Sequence, residues 1–118
     1  LIGPCDAEDV AQGFWRALER RDQAAGELFN VGPAYALTAP QMVGLFSEIH
    51  GVSIPIRWVS YQWFINEVMP EPGANNHFRF HMCPDISKAR RRLLYEPLHT
   101  PEASMARAVE WMRREGLM

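Results

Sequence analysis

The sequence predicts an α-rich α/β fold, with about five helices and two or three short strands in one domain that covers residues 1–118. Three observations predict it. Capping residues precede apolar residues at helical spacing, short apolar runs are bounded by Gly and Pro, and such runs are too few for a complete sheet. A chain of 118 residues can bury one core without a metal or disulfide.

The first helix is predicted over residues 8–21. Asp6 and Asp9 have the spacing of a cap and a first-turn acid. Apolar residues then recur at every fourth position, at Val10, Phe14 and Leu18. The apolar run at 28–31 is followed by Gly and Pro, which predicts a short strand leaving a buried sheet.

The second helix is predicted to begin at Thr38, because Gln41 lies at the spacing of a capping box. Gly51 is a typical C-terminal cap and predicts where this helix ends. The segment 54–59 alternates in hydrophobicity and predicts a second short strand. Pro55 indicates that this strand lies at an edge or at a strand start.

Three further helices are predicted. One begins after Ser60 and is stopped by Pro70. Another is capped by Asp85, and the last begins at Thr100, which is followed by proline. Residues 70–84 lie between the helix after Ser60 and the helix capped by Asp85. They are rich in Pro, Gly and Asn and predict an excursion loop with one short strand.

Composition and charge exclude several classes of function. Acidic residues number 14 against 12 basic ones, so no global field favours nucleic acid or anionic lipid. No apolar stretch is long enough to span a membrane. Cys5 and Cys83 form no C-x-x-C pair, which favours a reducing, cytoplasmic location. The basic cluster at 88–92 is interpreted as a solvated helix surface rather than a phosphate-binding patch.

Motifs with known chemistry are absent or weak. No two glycines have the spacing of a dinucleotide-binding loop, and the single lysine, Lys88, follows Ser87 rather than a glycine. Ser53 lacks the second glycine of a nucleophile elbow and is interpreted as a turn residue. Two histidines and a thiol, His77, His81 and Cys83, have a spacing that is only weakly typical of zinc. Loop histidines that face solvent or substrate are the preferred interpretation.

Three stretches of sequence carry a family resemblance: "EDVAQGFWRALER" with "GELFNVG", then "LTAPQMVGLFSEIHGVSIPIRWV", then "DISKARRRLLYEP" with "TPEASMARAVEWMRREG". Together they resemble the C-terminal part of the NAD-dependent epimerase/dehydratases, within the extended short-chain dehydrogenase/reductase family. Residues 1–37 resemble the end of that family's nucleotide-binding sheet region. Residues 38–118 are similar to the substrate-binding lobe, so most of the Rossmann sheet would be absent from this chain.

The resemblance implies a substrate-binding portion of an NAD(P)-dependent epimerase, dehydratase or reductase that acts on a nucleotide sugar or related small molecule. NAD or NADP would be bound by a part that this chain lacks, and the chain alone would not be catalytic. The family's Tyr-x-x-x-Lys pair is missing, because Pro84 lies four residues before Lys88. Glu71 stands where many members place a diphosphate-binding arginine.

The predicted substrate-binding residues lie in the loop at 70–84. Arg79 is expected to pair with an anionic group, because a guanidinium can bind a carboxylate or phosphate through two parallel hydrogen bonds. Polar contacts are expected from Asn76, His77 and His81. The partners implied are a small-molecule substrate and either the missing nucleotide-binding half or further copies of the chain.

A second hypothesis is a standalone, non-catalytic interaction or ligand-binding module. Without its sheet, such a module would expose the apolar side of the first helix and the edges of the strand at 28–31, and would self-associate. A third hypothesis is a small hydrolase-like or ligand-binding cup that uses the four tryptophans and the histidines.

Overall fold

The computed structural model describes residues 1–72 and 78–118. Its helices with described bounds are α1 (Ala7–Glu19), α2 (Arg21–Ala24), α3 (Ala39–His50), α4 (Tyr61–Glu67), α5 (Ser87–Leu93) and α6 (Pro101–Arg114). The predicted α-rich architecture is confirmed. None of the helices within the described residues is both long enough and apolar enough to cross a bilayer.

Most helix starts follow the predicted caps. The Thr38 hydroxyl accepts from the backbone N–H of Gln41, whose side chain accepts from the Thr38 N–H, and this completes a capping box. The Ser60 and Thr100 hydroxyls cap α4 and α6 by accepting from the backbone N–H groups of Trp63 and Ala103. Gly51 ends α3 with a φ of 65°, as a left-handed C-cap requires.

Two helix boundaries differ from the prediction. The helix expected over 8–21 is interrupted at Arg20, whose backbone leaves the helical region, so that α1 and the short α2 are separate. Helix α5 begins two residues after Asp85. The Asp85 carboxylate accepts from the N–H of Ser87 at 2.8 Å, so it stabilises the turn before the helix.

The strands predicted at 28–31 and 54–59 do not form, and the strand expected within the loop at 70–84 falls partly outside the described residues. Residues 28–31 and 54–59 carry no strand, and the β-pairing within the described residues consists of isolated bridges made by Ile2. Ile2 pairs antiparallel with Leu37 through two backbone hydrogen bonds of 2.8 Å, and it forms a parallel bridge with Met82, whose N–H donates to the Leu1 carbonyl oxygen at 2.8 Å. The prediction was wrong because an apolar run becomes a strand only beside a partner strand, and these two runs have none.

The core lies around α5. Its fully buried members are Ile86, Ala89, Leu93 and Tyr95, and Ala17, Ala24, Phe29 and Val31 pack against them. Helix α1 approaches this core closely at Gly13, where an added Cβ would lie 2.8 Å from Val31 Cγ2. The run at 28–31 therefore contributes side chains to the core without contributing a strand.

The apolar stripe of α1 faces solvent. The exposed fractions of Val10, Phe14 and Leu18 are 39, 72 and 71 %, whereas Asp9 and Gly13 on the opposite face are buried. An amphipathic helix normally buries its apolar side. The exposure is what the standalone-module hypothesis expects of a helix that has lost its sheet.

Most cations of the basic cluster on α5 form ion pairs. Lys88 and Arg92 both contact the carboxylate of Glu27 at 2.8 Å, and Arg90 pairs with Glu96. The Lys88 ammonium also lies 4.8 Å from the centre of the Phe29 ring. Lys88 and Arg92 therefore attach the 27–29 segment to α5. The cluster thus has a structural role that the sequence did not indicate.

Candidate ligand-binding cleft

The structure separates the predicted site residues. Asn76 and His77 lie outside the described residues. Arg79 is exposed, with its guanidinium 5.5 Å from the centre of the Phe80 ring. His81 is exposed too. It lines a cavity of about 400 Å³ together with Cys5 and Cys83, and Arg79 does not line that cavity. The structure thus does not bring Arg79 and His81 together.

An apolar cavity lies between α3, α4 and the segment that joins them. Its volume is about 330 Å³, and its walls are Ala39, Pro40, Val43, Ile56, Arg57, Trp58, Val59, Tyr61, Phe64 and Phe78. We call this cavity the aromatic cleft. A second cavity, of about 580 Å³, is lined by Tyr61, Gln62, Ile65, Phe78 and Arg79. The two cavities adjoin, because Tyr61 and Phe78 line both.

Local sequence features shape the aromatic cleft. The capping box at Thr38 fixes the start of α3, whose first turn supplies Ala39 and Pro40 to the wall. The Ser60 cap starts α4 immediately after the irregular segment 53–60. Phe64 of α4 packs edge-to-face on Phe78, with ring centres 5.0 Å apart. This aromatic pair joins α4 to the residue directly before Arg79.

Arg57 is the cationic residue of the aromatic cleft, and it is not among the site residues predicted from the sequence. Its guanidinium carbon lies 5.2 Å from the centre of the Trp63 ring, a cation–π arrangement. Among the described residues, no carboxylate forms an ion pair with Arg57 or Arg79. A single arginine inside the apolar run 54–59 was the signal in the sequence that could have identified it.

One cluster has the composition of a metal site. Within the described residues, ligand atoms of Asp6, Glu8 and His99 lie within 4.8 Å of one another. Arg107 already donates to both carboxylates at 2.8 Å, and His99 Nε2 lies 2.8 Å from Glu8. The site of a cation is therefore occupied by a guanidinium, and we interpret the cluster as an ion-pair network that joins α1 to α6.

The pKa values of this network agree with that interpretation. Burial by itself raises the pKa of Asp6, but the Glu8 N–H and the Arg107 guanidinium outweigh it and hold that pKa below its ordinary value. Hydrogen bonds from His99 and then Arg107 lower the pKa of Glu8. Both carboxylates are thus held in their charged form.

Comparisons with known proteins inform the fold. No family model matches the chain, and no curated protein matches it. The solved structure of a protein named gox2253 has the same fold, with a TM-score of 0.68 and 23 % sequence identity. The match covers 93 % of this chain and 36 % of that protein, so the chain spans about a third of its length.

Proposed function

We propose that the chain is the substrate-binding portion of an NAD(P)-dependent epimerase, dehydratase or reductase, and that it supports catalysis only with a nucleotide-binding part. One observation carries the proposal: the chain has an apolar cleft with an arginine that lacks a carboxylate partner, on a fold that matches about a third of the longer protein gox2253. Apolar walls with a few polar groups are typical of small-molecule sites. The family resemblance of the sequence supports the same assignment.

The residues of this chain do not fit a dinucleotide. The sequence has no glycine-rich loop at a helix start, where backbone N–H groups would bind the pyrophosphate. The single lysine is engaged elsewhere, since Lys88 Nζ donates to Glu27 and to the Leu28 carbonyl oxygen, each at 2.8 Å. It cannot lower the pKa of a catalytic tyrosine from there. We therefore assign NAD or NADP to a part outside this sequence.

Location and partners are part of the same proposal. Both cysteines of the described residues, Cys5 and Cys83, are free thiols, which supports a reducing compartment such as the cytoplasm. The partners we propose are a small-molecule substrate and the nucleotide-binding part, with no role for nucleic acid.

The decisive test concerns the coding sequence before Leu1 and the activity of its whole product. We expect an in-frame extension that encodes a glycine-rich strand-turn-helix and a Tyr-x-x-x-Lys pair. The full product should bind NAD(P)H, as judged by nicotinamide fluorescence, and the 118-residue chain should not. A stop codon directly upstream, or dinucleotide binding by the 118-residue chain alone, would contradict the proposal.

A second candidate function, a self-associating interaction module, is favoured by the apolar face of α1. Val10, Phe14, Trp15 and Leu18 are all exposed there. An exposed apolar patch of this kind marks a surface that another molecule covers. Sedimentation velocity at rising concentrations of the chain separates the candidates: reversible dimers support the module, and a monomer at every concentration rejects it.

A further inference from the structure

We propose that the aromatic cleft selects small molecules that carry one anionic group on an apolar, preferably aromatic, body, and that Arg57 binds that group. The inference rests on the proposed function as a substrate-binding portion. It deepens that function, because it replaces the nucleotide sugar implied by the family resemblance with a smaller amphipathic acid.

The walls of the cleft determine the body of the ligand. They include Val43, Ile56, Trp58, Phe64 and Phe78, and no acidic residue lines either this cavity or the adjoining one within the described residues. The volume of about 330 Å³ lies at the lower end of the range for ligand pockets, roughly 300–1,000 Å³. These mainly apolar walls match a flat apolar group better than the hydroxyl-rich surface of a ribose and a hexose.

The guanidinium of Arg57 determines the charge that the ligand carries. It lies 5.2 Å from the centre of the Trp63 ring, and a cation–π contact with a ring face leaves the N–H donors of the guanidinium for a ligand. A carboxylate matches this planar fork with two parallel hydrogen bonds. Because no carboxylate of the described residues pairs with Arg57, an incoming anion has no internal competitor to displace.

The position of the second arginine argues against a diphosphate. Two adjacent phosphates are best bound where several cations converge. Arg57 lies in the wall of the aromatic cleft and Arg79 in the wall of the adjoining cavity, while the aromatic rings of Tyr61 and Phe78 stand in the wall shared by both. Arg57 thus binds the anion next to the apolar walls, and Arg79 contributes longer-range attraction at the adjoining cavity.

The test compares ligands of one shape and different charge. Hydrocinnamate, its uncharged amide and UDP-glucose are titrated into the 118-residue chain, and affinity is measured by calorimetry and by the fluorescence of the tryptophans. We expect hydrocinnamate to bind at least about tenfold more tightly than the amide, the factor of one charge-assisted hydrogen bond. Equal affinity for the acid and the amide, or tighter binding of UDP-glucose, would overturn the proposal.

Variants identify the residue responsible. Arg57→Gln should abolish the preference for the acid, and Arg57→Lys should restore only part of it because an ammonium lacks the planar fork. Arg21→Gln is the matched control, since Arg21 is an exposed arginine of α2 that lines none of these cavities. An Arg57→Gln chain with a native circular dichroism spectrum and an unchanged preference would refute the role of Arg57.

The two proposals fail in different experiments. If the upstream coding sequence lacks a nucleotide-binding part, the proposed function falls, whatever the ratio between acid and amide. If hydrocinnamate and its amide bind with equal affinity while the whole product oxidises or reduces a substrate with NAD(P), only the choice of substrate class is wrong.

Discussion

The phenolic hydroxyl of Tyr95 donates a hydrogen bond of 2.8 Å to the carbonyl oxygen of Gly32, and both residues are buried. Burial raises the pKa of Tyr95, so the ring remains a neutral donor at any ordinary pH. This bond joins the end of α5 to the segment that follows Val31.

We expect Tyr95→Phe to lower the free energy of unfolding by about 1–3 kcal/mol, because the Gly32 carbonyl is left buried without a partner. Urea unfolding followed by circular dichroism measures the change. The matched control is Tyr35→Phe, since the Tyr35 hydroxyl pairs with Glu102 at an exposed site and its loss should change little. Equal effects of the two substitutions would show that the buried bond is unimportant.

The glycines of α1 and α3 should respond oppositely to alanine. At Gly13 an added Cβ would meet the stiff, β-branched Val31 at 2.8 Å, so we expect Gly13→Ala to destabilise by about 1–3 kcal/mol. At Gly44 nothing lies within 4 Å, and Gly44→Ala should stabilise by about 0.5–1 kcal/mol through helix propensity. Denaturant midpoints measure both. A stabilising Gly13→Ala would contradict the close approach of α1 to Val31.

Leu94 is a leucine in a backbone conformation that favours glycine. It ends α5 with a φ of 55°, and its side chain is exposed. We expect Leu94→Gly to stabilise the protein by about 0.5–1 kcal/mol, because relief of the left-handed strain exceeds the added chain entropy. Leu98→Gly, at another exposed leucine without a positive φ, should destabilise instead. Thermal melting of both variants checks the contrast.

The stability of the protein should depend on pH through Glu27. Hydrogen bonds from Lys88 and Arg92 lower the pKa of Glu27 from 4.5 to about 2 in the folded chain. A depressed carboxyl pKa stabilises above the unfolded value and loses that contribution as the pH falls through the folded value. We therefore expect the melting temperature to fall between pH 4.5 and about 2 in part through this group.

Glu27→Gln should lower the melting temperature near neutral pH. It should also make the melting temperature depend less on pH in the acid range. Glu48→Gln is the control, because Glu48 has no ion-pair partner among the described residues. If the two variants show the same dependence on pH, the bridge from Glu27 to α5 does not form in solution.

The apolar face of α1 should bind hydrophobic dyes. Phe14→Ser combined with Leu18→Ser should reduce the fluorescence of a bound anilinonaphthalene dye, while the free energy of unfolding changes by no more than about 0.5 kcal/mol because both side chains are exposed. Leu28→Ser, at an isolated leucine that is 89 % exposed, should leave the dye signal unchanged. A large loss of stability would show that the face is buried in solution.

The helices could be predicted from the sequence because their signals are local. The caps at Thr38, Ser60 and Thr100 act within three residues of themselves, so neighbouring sequence contains the whole interaction. The break at Arg20 could not be predicted, since no glycine or proline marks it.

The strands could not be predicted, and the exposure of the apolar side of α1 was expected only by the standalone-module hypothesis, because both depend on distant partners. An apolar run at 28–31 predicts a strand only if another strand lies beside it, and the bridges form at Ile2 instead. Periodicity identifies the apolar side of α1 but does not say whether anything covers it.

The predicted site residues lie in different places. Arg79 does line a cavity, whereas His81 lines a separate one. Arg57 was missed because the segment 54–59 was interpreted as a strand, and a strand assignment says nothing about the cavity that a side chain lines. The adjacency of Phe64 and Phe78 arises only from tertiary packing.

The double pairing of Ile2 has a kinetic consequence. This residue joins the start of the chain to Leu37 and to Met82, so its bridges close two long loops at once. Helices such as α3 nucleate within their own sequence, but contacts of large sequence separation slow the search for the native state. We therefore expect the closing of such long-range contacts, rather than the winding of any helix, to limit how fast the molecule folds.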